Sequence, residues 1–100
     1  MVTVGLHIRI EAKPDRAADV EAVLRSALDQ VREEEATAVW VAARLGPTTF
    51  AVFDAFADEA GRRAHLDAYG GALREAAGEL FARPPAVEFA DILCAKLPGS

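Results

Sequence analysis

With one cysteine in 100 residues, the chain can form no intrachain disulfide, and the setting of Cys94 in ADILCAKL reads as packing. His7 and His65 are the only histidines and stand far apart, so no metal-ligand cluster of known spacing is present. Ser26 and Ser100 are the only serines, one within a helical stretch and one at the end, which excludes a serine-nucleophile triad. Gly70-Gly71 follows no strand and makes no phosphate loop. Sixteen acidic residues against eleven basic ones give a formal charge of −5, and no stripe of Lys and Arg tracks a phosphate backbone. Nucleic acid is therefore not an expected partner. The longest apolar runs, such as TAVWVAA at 37–43, fall far short of the roughly 18 residues a membrane span needs. The opening MVTVGLHIRIEAK shows neither a basic leader nor a small-residue cleavage site, so the expected location is cytoplasmic.

What is present is a strongly patterned chain. Val2, Val4, Leu6, Ile8 and Ile10 alternate with Thr3, Gly5, His7 and Arg9, the signature of a strand with one apolar face. Pro14 suits the first turn of a helix running from about 14 to about 34, whose apolar positions are Ala17, Val20, Val23, Leu24, Ala27, Leu28 and Val31. Residues 37–45 and 48–57 are rich in Val, Phe, Trp and Thr and flank Gly46-Pro47, which predicts a hairpin with a loop over Leu45 to Thr48. The register expected from that loop sets Trp40 against Phe53 and Val39 against Asp54. Asp58 can cap a short helix to about Asp67; Gly70-Gly71 should break or bend it before a further helix that ends at Pro84-Pro85. AVEFADILCAK supplies the last strand. The order is β-α-β-β-α-β, an α+β ferredoxin-like fold in one domain over residues 1–97 with a frayed tail at 98–100.

VWVAARL and FAVFDAF put bulky apolar groups on both faces of their sheet, and two helical segments can cover only one. The simplest cover for the other is a second copy, giving a homodimer with sheets face to face.

TAVWVAARLGPTTFAVFDAFADEAGRRAHL, followed by LFARPPAVEFADILCAKLP, resembles the antibiotic biosynthesis monooxygenase (ABM) domain family, especially its small quinol-monooxygenase-like bacterial members. The resemblance spans nearly the whole chain. It implies a dimeric α+β barrel with a pocket between sheet and helices. It also implies oxidation of quinol or polycyclic phenolic aromatics by dioxygen, with neither metal nor flavin. Asp54-Ala55-Phe56 stands where many relatives carry an acid, a spacer and an aromatic that is often Trp. An electron-rich phenolate can itself supply electrons to dioxygen. Such a site therefore needs only a base, a polar anchor and apolar walls that exclude water.

His65 shares a helical face with Gly61, Ala64 and Ala68 and occupies the family's recurrent histidine position. It is a candidate proton acceptor or donor to a phenolic oxygen, or else a hydrogen-bonding strut between helix and sheet. Asp54, in an apolar strand, could accept a proton, orient His65 or pair with an arginine. Tyr69 is the third candidate, with a hydroxyl that needs a partner if buried. Trp40, Phe53, Phe56 and Phe81 are candidate walls for a small aromatic ligand, or simply core. His7, on the polar face of its strand, suits an interface. Two other functions fit the same sequence: a non-catalytic barrel that binds a small molecule, as in a stress response, and a haem-degrading oxygenase.

Overall fold

The computed structural model describes residues 1–99. Its elements are β1 (Val4–Glu11), α1 (Ala17–Val31), β2 (Thr37–Arg44), β3 (Thr49–Phe56), α2 (Glu59–Leu80) and β4 (Ala86–Asp91). The four strands form one antiparallel sheet in the order β2-β3-β1-β4, so the β-α-β-β-α-β arrangement stands as expected. The alternation of β1 directs Leu6, Ile8 and Ile10 toward the helices, where Ile8 and Ile10 meet Phe50 and Val52 of β3, Val20 of α1, and Leu80 and Phe81 at the end of α2. Burying such side chains stabilises the fold by about 1.5–3 kcal/mol each.

Both helices differ from expectation at their boundaries. Pro14 precedes α1 rather than lying in its first turn: Arg16 N–H bonds Lys13 O at 2.9 Å to close a turn, and the helix starts at Ala17. Asp58 caps α2 by accepting from Gly61 N–H at 2.9 Å, but the helix then runs unbroken to Leu80. The expected break at Gly70-Gly71 does not occur. Each glycine costs a helix only about 1 kcal/mol relative to alanine, less than the packing of the residues around it supplies.

The hairpin forms, but the expected pairing of Trp40 with Phe53 is corrected. Trp40 lies opposite Asp54, Val41 opposite Phe53 and Val39 opposite Ala55. Thr37 nevertheless pairs with Phe56, so β2 holds one extra residue, Ala38, as a bulge. Thr37 and Trp40 therefore face the same side of the sheet despite being three residues apart. Asp54, Trp40 and Thr37 all reach the helical layer for this reason.

The opposite face of the sheet carries Val41, 53% exposed, and Phe53, 36% exposed, and no helix among the described residues lies on that face. His7 lies on this face within 3.4 Å of Glu88. No helix among the described residues is long and apolar enough to cross a membrane.

Candidate functional site

Asp54 projects from β3 into the layer between sheet and helices and has no exposed surface. The Nε2 of His65, on α2, lies 2.8 Å from Asp54 Oδ2. This contact is short but poorly aligned, and neither oxygen of Asp54 has a well-formed hydrogen bond. The other ring nitrogen, Nδ1, is 3.0 Å from Glu34 Oε1 and 3.3 Å from Thr37 Oγ1. Thr37 also donates its hydroxyl proton to Glu34. The imidazole is thus clasped between two carboxylates, one on the sheet and one on the turn that follows α1.

Burial opposes a positive charge on His65, but the Asp54 and Glu34 carboxylates outweigh it and raise the imidazole above its ordinary range. With a carboxylate at each nitrogen, the imidazolium is the form this arrangement holds. Tyr69 lies one turn further along α2, its ring centroid 4.7 Å from that of His65. Burial, first, and the charge of Glu34 raise its phenol above the usual value and keep it protonated.

An apolar cavity of about 130 Å³ abuts this cluster between the sheet and both helices. Leu6, Ile8 and Val52 of the sheet, Val20 of α1, and Leu66 and Leu73 of α2 form most of its walls, with Asp54, His65 and Tyr69 at one end. Trp40 and Phe81 line it as well. Val23, 42% exposed, marks where the cavity meets solvent along α1. A second, shallower groove of about 400 Å³ lies on the far side of Trp40, between α1 and the edge strand β2.

The structure therefore gathers His65, Asp54 and Tyr69 and sets Trp40 and Phe81 around the same cavity. Phe56 packs beside the imidazole with centroids 5.4 Å apart, fully buried behind it. Phe53 is placed elsewhere: its strand neighbour Asp54 points inward, so Phe53 points to the opposite face, away from the cavity. The residue that sequence reasoning missed is Glu34. Three successive glutamates at the negative end of a helix are electrostatically misplaced, and this was the available signal. Among the described residues, no group of three or more His, Cys, Asp or Glu side chains is arranged to hold a metal ion.

No family model matches the sequence, and comparison with curated proteins gives no match. Solved structures are informative. The NE2512 protein of unknown function from Nitrosomonas europaea is 46% identical, with 100% of this chain and 98% of that chain covered and a TM-score of 0.94. This chain belongs to the NE2512 family. Its fold is ABM-like. A "putative antibiotic biosynthesis monooxygenase" from Deinococcus radiodurans aligns over 94% of this chain and 96% of its own with a TM-score of 0.80 at 17% identity. One from Caulobacter crescentus aligns over 92% and 91%, with a TM-score of 0.78 at 22% identity. These two likenesses establish the shared fold, and the NE2512 likeness establishes the family.

Proposed function

We propose that this chain is a monooxygenase that oxidises a phenolic or quinol-type aromatic with dioxygen, acting as a cytoplasmic homodimer without metal or flavin. The observation that supports this reading is the buried Asp54–His65 pair at the end of an apolar cavity, beside Tyr69. The reaction balances without an added reductant: a phenol with a free para C–H plus dioxygen gives a quinone plus water. The protein's part is to take the phenolic proton, hold the ring and keep water out.

The neutral imidazole of His65 accepts the phenolic proton, and the carboxylates of Asp54 and Glu34, one at each nitrogen, hold the imidazolium that results. That fixed positive charge also favours the negative charge that dioxygen acquires as it is reduced. Glu34 and Thr37 hold the ring in place. Trp40 and Phe81 supply apolar walls, and Tyr69 offers a hydroxyl that stays protonated near neutral pH.

Oxygen uptake by chelator-treated protein over a panel of phenols and hydroquinones tests this directly. Uptake should exceed the autoxidation baseline, and His65→Ala should lower the protein-dependent part by about 10²-fold, the lower end of what positioned proton transfer contributes. Uptake no higher than the baseline across the panel would sink the oxygenase reading. Ligand binding without oxygen consumption would then indicate a carrier rather than an enzyme.

A further inference from the structure

The cavity's volume and its one polar end define a narrower ligand than the fold alone would. We propose that it seats a single hydroxylated six-membered ring, with the hydroxyl donating to Asp54, and that fused two-ring phenols are not accommodated whole. This rests on the site described above but not on its oxygen chemistry.

The first argument is space. An apolar cavity of about 150 Å³ is known to take up benzene. The cavity here, at about 130 Å³, is slightly smaller and has walls of similar character: Leu6, Ile8, Val20, Val52 and Leu73. One ring fills it. A second fused ring would have to lie in the opening near Val23, gaining little apolar burial, or force the helices apart against close packing.

The second argument is polarity. Asp54 lines the cavity, is fully buried, and has no well-formed hydrogen bond on either oxygen. A buried carboxylate oxygen without a donor is costly, and most are satisfied. The imidazole contact on Oδ2 is poorly aligned, whereas its counterpart on Nδ1 is reinforced by Thr37. The imidazole thus lies against Oδ2, and Oδ1 has no partner among the described residues. An incoming O–H finds its acceptor at Oδ1. A ligand lacking a donor leaves Asp54 as it is and gains only apolar contact.

Calorimetric titration of the native chain under argon, with phenol, fluorobenzene and 2-naphthol, separates these terms. Phenol and fluorobenzene are close in size, but only phenol donates. A hydrogen bond to a charged group corresponds to roughly tenfold or more in affinity, so phenol should bind at least about tenfold more tightly than fluorobenzene. 2-Naphthol should bind no more tightly than phenol, although full burial of its second ring would strengthen binding many-fold. Amide shifts on adding phenol should cluster at Val20, Val52 and Leu73. Equal affinity for phenol and fluorobenzene would overturn the role of Asp54, and tighter binding of 2-naphthol would overturn the one-ring limit. Shifts centred on Ala42 and Ala43 would place the ligand in the outer groove and overturn the site. Oxygen uptake with any compound is a separate readout: phenol binding without it would leave this proposal standing while the oxygenase reading fell.

Discussion

His65 is the residue whose environment departs furthest from what its neighbours in the sequence suggest. Gly61 is buried, but Ala64 and Ala68, expected on the same face toward the sheet, are exposed; the imidazole is buried without them, and its chemistry is set by Asp54 and by Glu34, which lies 31 positions earlier. Such long-range pairing leaves no spacing pattern, so the glutamate run after α1 was the one sign of Glu34 and did not single it out from Glu33 and Glu35, whereas Asp54 stood out as an acid in an apolar strand. The raised pKa has a consequence for stability. A histidine charged more readily in the fold than in the unfolded chain stabilises fully below its unfolded value of about 6.5, and this contribution disappears as pH rises through the folded value. Denaturant unfolding from pH 6 to pH 9 should therefore show the native chain losing stability relative to His65→Gln. A constant difference between the two across that range would argue against the clasped imidazolium.

At the scale of elements, alternation and turn chemistry gave the order of elements and the Asp58 cap, while register and helix continuity escaped them; the last strand also ends at Asp91, short of the expected AVEFADILCAK, and leaves Cys94 exposed rather than packed. The register differs because Arg44 pairs with Phe50, so the hairpin loop holds one residue more than its turn residues suggest, and the glycines are outweighed by the packed face of a long helix. Gly5 shows how tightly the pairing of β1 with β3 positions the site. A Cβ at this position would lie 2.8 Å from the carbonyl oxygen of Asp54, with Ile92 and Phe53 side-chain atoms at 3.1 and 3.2 Å. Gly5→Ala should therefore push the β3 backbone at Asp54 outward and destabilise by about 1–3 kcal/mol. The shift should also disturb the His65 contact, so the pH dependence of stability should flatten in the same variant. Thermal and denaturant unfolding measure both, and an unchanged melting temperature would mean that the strands separate freely there.

At the scale of the whole molecule, one helical layer covers one face of a four-stranded sheet, and Val41 and Phe53 remain on the other. A small domain buries a modest share of its surface on folding, so covering this face with a second copy would add stability that the single chain lacks. Light scattering at micromolar concentration should give twice the chain mass of 10.6 kDa for the native protein. Phe53→Asp should give the chain mass while leaving the helical signal intact, because Phe53 touches neither helix nor cavity. A native monomer would refute the dimer without touching the site, since the described cluster and cavity are built from one chain.

Ala38 is the spare residue of β2, and that has a bearing on how chains of this kind can differ in length. The pairing of Thr37 with Phe56 on one side of it and of Val39 with Ala55 on the other would join without a gap if it were removed. A one-codon deletion at this point would therefore preserve which side chains face inward, whereas the loss of any residue from Val39 to Arg44 would turn part of the strand over.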